Sequence, residues 1–207
     1  MTEEINFECL LPATRQVLEK LRDESRFLAD YVMVGGSALS LRLCHRFSED
    51  LDFFAFGNRF DKKPIFDFFR GSDYRMINDT QDQVDLVYEG VRITFFNANR
   101  DFLRPAEASS LNVASFELLA GMKVHTLFLR ATYRDYYDLY VISQKMGLSE
   151  MYQAALRFID GLNYKLFSMA LIYVDDIADD NISHLKPQFH ITKQQISEYF
   201  VSKLKNP

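Results

Sequence analysis

An α+β domain followed by a helical portion is the fold class that this 207-residue sequence predicts. Three observations carry the expectation. Residues 31–34, 51–56, 83–88 and 91–96 are short apolar runs rich in β-branched and aromatic residues, the pattern of strands. Segments with apolar residues three and four apart, the pattern of helices, alternate with them up to about residue 115. Beyond Ser115 the helical spacing continues almost to the C-terminus. The expected organisation is therefore an α+β core over 1–114 and a helical portion over 115–207, packed on the core.

The elements follow in order. Leu11, Val17, Leu18, Leu21, Phe27 and Leu28 predict a helix over 10–28, with Pro12 suited to its first turn. Tyr31-Val32-Met33-Val34 predicts a buried strand that Gly35-Gly36 ends. Ser37 is a good N-cap for a helix over Ala38–His45. A second strand over Leu51–Phe56 is broken by Gly57-Asn58. Lys63–Phe69 reads as a short helix and Tyr74–Ile77 as a weak strand. Glu89-Gly90 joins Gln83–Tyr88 to Val91–Phe96 as a tight hairpin. With that turn, Asp85 faces Thr94. Residues 104–112 read as a loop, and Ser115–Leu129 as a helix. Thr132 with Asp135 resembles a capping box opening a helix to about Met146, which Gly147 stops. Further helices are expected over Met151–Ile159, Tyr164–Val174 and Thr192–Leu204.

Composition narrows the function classes. Nineteen Phe and eleven Tyr supply a large apolar core. The formal charge of −5 offers no global field for nucleic acid, so any such contact needs a local basic cluster. No apolar run approaches the ~20 residues of a membrane helix, and the acidic N-terminus lacks a signal-peptide pattern. Cys9 and Cys44 have no metal-ligand spacing and are expected to be reduced, buried thiols of a cytoplasmic protein.

The segment from Gly35 to Phe54 concentrates the chemistry. Asp50 and Asp52 stand at i and i+2 and project from one face of a strand. Two adjacent carboxylates are well accommodated when a cation lies between them, and Mg²⁺ favours carboxylates together with substrate phosphates. Gly35-Gly36-Ser37 lies at a strand-to-helix junction, where backbone amides and the helix dipole attract phosphate. Arg42, His45 and Arg46 are spaced to share one helical face. The same residues also fit a plain turn and an Asp-x-Asp solvated on an edge strand.

Gly35-Gly36-Ser37, twelve residues, then Asp50-Leu51-Asp52-Phe53-Phe54 resembles the signature of the AbiEii/AbiGii toxin-like nucleotidyltransferases, a branch of the DNA polymerase β-like superfamily. A second block, Lys123, Arg130 and Arg134-Asp135-Tyr136-Tyr137-Asp138-Leu139-Tyr140, is similar to that family's later motif. A looser likeness lies in 170–176. The resemblance implies a mixed sheet flanked by helices, with a C-terminal helical portion. It implies transfer of a nucleotidyl group from an NTP, with Mg²⁺ or Mn²⁺, to an RNA (tRNA) or protein acceptor. Such enzymes act as toxins of toxin–antitoxin or phage-defence systems, which implies a cognate antitoxin. Gly35, Gly36, Ser37, Arg46, Lys123 and Arg134 would bind nucleotide; Asp50 and Asp52 would ligate metal; Asp50, Asp52, Lys123 and Asp138 would be catalytic.

One part of the pattern is missing. Many relatives carry a third carboxylate where this chain has Thr94. Asp85, opposite Thr94 on the hairpin, is the candidate replacement metal ligand, and a solvent-facing strand-end residue is the alternative. Thr94 also keeps open a second function: a non-catalytic descendant that binds nucleotide or a partner.

Overall fold

In the computed structural model, residues 5–56, 60–105, 109–178 and 181–205 are described. The chain divides into two compact units, Met1–Ala114 and Ser115–Pro207.

The first unit holds a six-stranded mixed sheet: β1 (Tyr31–Val34), β2 (Leu51–Ala55), β3 (Tyr74–Thr80), β4 (Gln83–Tyr88), β5 (Val91–Asn97) and β6 (Asn112–Val113). Their order across the sheet is β3-β4-β5-β2-β1-β6. β2 runs antiparallel to β1 and parallel to β5. It is therefore an interior strand, so Asp52 does not sit on a solvated sheet edge. Among the described residues, three α-helices accompany the sheet: α1 (Pro12–Glu24), α2 (Gly35–Leu43) and α3 (Lys63–Phe69).

The pleat sorts the side chains. Leu51, Phe53, Ile93 and Phe95 point to one face and are fully buried. There Phe53 stacks on Phe95 at 5.3 Å between centroids, and Tyr31 meets Phe95 edge-on at 5.4 Å. Val17, Leu18 and Leu21 of α1 and Ile65 and Phe69 of α3 are equally buried. Asp52, Phe54, Thr94 and Phe96 point to the opposite face and are half-buried.

The expected hairpin forms with the expected register, Tyr88 opposite Val91 and Asp85 opposite Thr94. Glu89 and Gly90 both take positive φ, 50° and 79°, as a two-residue turn matched to strand twist requires. β3 is longer than its apolar residues suggested, reaching Thr80, with a register shift between Met76 and Asn78. β6 begins at Asn112, the last residue of the stretch expected as a loop. Its two residues pair with β1, and Asn112 donates its side-chain amide to the Ala29 and Tyr31 carbonyls. The break expected at Gly57-Asn58 lies outside the described residues.

Three other expectations are corrected. Helix α2 begins at Gly35 and not after Ser37, so Ser37 stands inside the first turn. The same helix ends at Leu43, where Cys44 turns left-handed (φ 51°), so Arg42, His45 and Arg46 share no helical face. Arg42 instead donates to the carbonyls of Ala114 (2.7 Å) and Val113 (3.1 Å). Cys9 and Cys44 are not separate thiols but a disulfide with Cα atoms 5.2 Å apart. The N-terminal segment brings them together, since the Asn6 amide donates to the Leu41 carbonyl of α2.

The second unit contains α4 (Phe116–Leu129), α5 (Tyr133–Ile142), α6 (Leu148–Ala155), α7 (Tyr164–Ile172) and α8 (Lys193–Lys205). Tyr136, Tyr137, Phe167, Leu171, Ile196 and Phe200 form its buried interior. The Tyr136 hydroxyl is satisfied there by donating to the Ala170 carbonyl at 2.8 Å. Helix α5 ends four residues before Met146, and Gly147 opens α6 where a stop was expected. The reason is Glu150, whose carboxylate accepts from the Gly147 amide (2.8 Å) and caps the new helix. Among the described residues no helix is long and apolar enough to cross a membrane.

Candidate functional site

The carboxylates of the first motif are positioned from outside their own strand. Three consecutive carbonyls leading into β2 each accept a hydrogen bond, two from the start of α1 and one from α2. Ser48 accepts from the Leu11 amide at 3.1 Å, and Glu49 from the Thr14 hydroxyl at 2.9 Å. Asp50 accepts from the Ser37 hydroxyl. Thr14 and Ser37 are both almost wholly buried, so these bonds lie away from competing water. The backbone entering β2 is thereby held at three successive residues, while the Asp50 and Asp52 side chains remain half-exposed.

The glycines make room for charged groups. Gly35 has a φ of 74°, the left-handed region that favours glycine, and a Cβ there would collide with the Asp52 carboxylate. A Cβ on Gly36 would lie 2.8 Å from Nη2 of Arg46 and 3.2 Å from the Ser48 hydroxyl. Thus the first turn of α2 has the Asp52 carboxylate beside one glycine and the Arg46 guanidinium beside the next. Arg46 is almost fully buried and donates to the Phe47 carbonyl at 2.9 Å. The negative group and the amide-rich, positive end of α2 meet at one place.

Asp85 occupies the same sheet face. It stands opposite Thr94 on β5, and Thr94 stands opposite Asp52 on β2. Two strand spacings, about 10 Å, therefore separate the Asp85 and Asp52 backbones. Asp85 is buried, not solvent-facing at a strand end. Its oxygens accept from the Thr94 hydroxyl and the Gln83 amide, each at 2.7 Å, and Arg92 lies 3.7 Å away. Among the described residues no three His, Cys, Asp or Glu side chains cluster as a ready-made metal cage.

The second motif folds into an ion cluster within the second unit. Nζ of Lys123, on α4, lies 2.6 Å from Asp138 and 3.2 Å from Asp135, both on α5. All three are buried, Lys123 at 5% exposure and the carboxylates at 0%. Asp135 also accepts from Arg130 through both oxygens (3.1 Å each) and from the Thr132 hydroxyl at 2.6 Å. Burial by itself would raise the Asp135 pKa. Lys123, Arg130 and Thr132 outweigh it and hold the pKa down to about 2. Asp135, expected as a capping residue or as an ion-pair partner of Arg130, is thus both the cap and the hub of the cluster. Its signal in the sequence was the pair of cations, Lys123 and Arg130, on the preceding helix. Arg134 is half-buried in the first turn of α5. Thr14, which sequence reading missed, carried no local signal, because its role appears only when α1 packs beside residue 49.

Comparison with known proteins gives consistent results. The family model described as "Nucleotidyl transferase AbiEii toxin, Type IV TA system" matches residues 16–95 and 73–171. An uncharacterized protein of Aquifex aeolicus, aq_aa25, is 26% identical over 203 residues, covering 92% of this chain and 94% of that one. Among solved structures, a Helicobacter pylori chain superposes with a TM-score of 0.53 at 20% identity, covering 100% and 98% of the two chains. JHP933 of Helicobacter pylori gives 0.51 at 19% identity, covering 95% of each. MenT4, the nucleotidyltransferase toxin Rv2826c of Mycobacterium tuberculosis H37Rv, gives 0.52 at 14% identity, covering 85% and 76%. These structural likenesses establish a shared fold.

Proposed function

Because the chain belongs to the AbiEii nucleotidyltransferase toxin family, we propose that it moves a nucleotidyl group from an NTP to an RNA (tRNA) or protein acceptor. The setting is the cytoplasm, and the toxin's role is in a toxin–antitoxin or phage-defence pair whose antitoxin is a separate chain. The observation that carries the reading is the placement of the Asp52 carboxylate against Gly35 at the start of α2. A carboxylate and a row of helix N-terminal amides side by side suit a metal-bridged triphosphate.

The residues fit a divalent cation. Mg²⁺ uses one or two carboxylates plus substrate phosphates, so Asp50 and Asp52 suffice without a protein-only cage, and Mn²⁺ takes the same ligands. When bound, the cation neutralises charge developing on the phosphates. Gly35 and Gly36 let the Asp52 carboxylate and the buried Arg46 guanidinium lie against the first turn of α2, whose amides would receive the β and γ phosphates. Ser37 acts chiefly by holding the Asp50 carbonyl. One of the two aspartates orients the acceptor hydroxyl and takes its proton, while the hydroxyl oxygen bonds to the α-phosphorus as the bond to the bridging oxygen breaks. Pyrophosphate leaves with that electron pair. Asp85 holds the Thr94 hydroxyl on the acidic face. By likeness to the family motif, Lys123 and Arg134 are assigned to nucleotide handling, with Asp138 and Asp135 holding the buried Lys123 ammonium within the second unit.

A non-catalytic descendant that binds nucleotide or a partner is the second reading, favoured by Thr94 in the place beside Asp52. The test is calorimetric titration of each NTP with Mg²⁺ into the wild type and Asp52→Ala, followed by labelled transfer to tRNA and to cell protein. Metal-dependent binding that the variant loses, together with transfer, supports the enzyme. Binding without transfer to either acceptor favours the second reading in its nucleotide-binding form, and no binding at all sinks the enzyme and leaves the partner-binding form.

A further inference from the structure

We propose that Phe54 and Phe96 form a stacking platform for the base of the nucleoside triphosphate, an inference that rests on the nucleotidyltransferase reading above. The two residues are register partners on β2 and β5, one pleat repeat beyond the Asp52–Thr94 pair. Because side chains two apart share a face, Phe54 and Phe96 lie on the carboxylate face, about 7 Å along the strands from Asp52. A single ribose spans that separation, so a phosphate beside Asp52 brings its base over the rings.

The exposure of the pair sets it apart from its neighbours. Phe53 and Phe95, the next residues on the same two strands, are 0% exposed and stack in the core. Phe54 and Phe96 remain half-exposed, with ring centroids 5.2 Å apart and planes inclined at 53°. The inclination leaves one ring to accept a flat base face-on while the other meets its edge. Every nucleobase has a π-face, so such a platform binds without choosing among bases. The polar groups in the adjacent row, Thr94 and Asp85, already hydrogen-bond each other.

The chain contains no tryptophan, so Phe96→Trp places a single indole, excited apart from the tyrosines, at the platform. Circular dichroism and thermal unfolding first confirm that the variant folds. It is then titrated with each NTP, with tripolyphosphate and with a mixed-sequence single-stranded RNA, all in Mg²⁺. Quenching by NTP and not by tripolyphosphate is the expected result. In parallel, Phe96→Leu keeps an apolar side chain but removes the π-face. It should bind NTP about 5- to 150-fold more weakly while leaving tripolyphosphate affinity unchanged. A merely structural role would weaken both ligands. NTP binding that survives in Phe96→Leu at wild-type strength, with no quenching in Phe96→Trp, overturns the platform and leaves the nucleotidyltransferase reading intact. Quenching by RNA alone overturns its assignment to the NTP and moves it to the acceptor. Failure of the wild type to bind any NTP removes both proposals.

Discussion

Gly35 and Asp52 are in such close contact that no side chain fits between them. The contact joins the first residue of helix α2 to a carboxylate on the neighbouring strand. It explains the first glycine by sterics as well as by backbone conformation. Gly35→Ala meets both obstacles, since its φ of 74° also penalises any Cβ. We expect a loss of about 1–2 kcal/mol in urea unfolding. Mg²⁺-NTP affinity should fall with it, because Asp52 must move to admit the methyl group. Unchanged stability and affinity would show that the contact relaxes freely.

The buried cluster of the second unit makes Lys123 a strong stability determinant. Lys123→Met leaves Asp135 and Asp138 facing each other with less positive charge between them. Removing one partner of a buried pair typically costs about 3–5 kcal/mol. The double variant Lys123→Met/Asp138→Asn should recover part of that loss in the same unfolding experiment. A double variant no more stable than the single one would refute the charge-pairing account.

Asp135 gives the cluster a pH signature. Its folded pKa, about 2, lies below the 3.8 of a free aspartate. A depressed carboxylate pKa contributes stability that is fully present above the unfolded value and is lost as pH falls through the folded one. The loss should therefore run from about pH 4 down to pH 2 and amount to about 2 kcal/mol. Asp135→Asn should flatten that part of the stability profile, measured by urea unfolding at each pH. An unaltered slope would place the titration on another group.

Thr14 touches neither nucleotide phosphates nor metal in the proposed scheme, yet it holds the carbonyl that precedes Asp50. Thr14→Val keeps the shape and removes the donor. It should lose about 1 kcal/mol of stability and weaken Mg²⁺-NTP binding without altering either aspartate. Calorimetry on the variant reads the second effect directly.

The Cys9–Cys44 bridge closes a loop over a sequence separation of 35 residues. Reducing it should lower stability by about 2–4 kcal/mol. Unfolding with and without a thiol reductant measures this, and Cys44→Ser should abolish the difference. Equal midpoints in the wild type would show that the bridge adds nothing.

Much of this architecture was legible in local residue patterns. Tyr31–Val34 is apolar at every position because β1 is covered on both sides. The register of Asp85 with Thr94 followed from a two-residue turn alone. What stayed hidden depends on tertiary partners. β6 has two residues, too few to show a period. Ser37 looked like a cap because cap preference is local, whereas its hydroxyl bonds a carbonyl thirteen residues away. Gly147 read as a stop because the weight of Glu150 as an alternative cap could not be judged without the fold. The pairing of Cys9 with Cys44 required the Asn6–Leu41 hydrogen bond, which spans two segments with no shared motif.

The pinning of residues 48–50 bears on how this protein can be dissected. The family match starts at residue 16. Leu11 and Thr14, and the Cys9 link to Cys44, all lie before it. A fragment trimmed to the matched region keeps every motif residue yet loses two of the three restraints on the aspartates' backbone. The smallest portable version of this site therefore begins near residue 6, and transplanting the motif into another scaffold requires carrying that leading strap along with it.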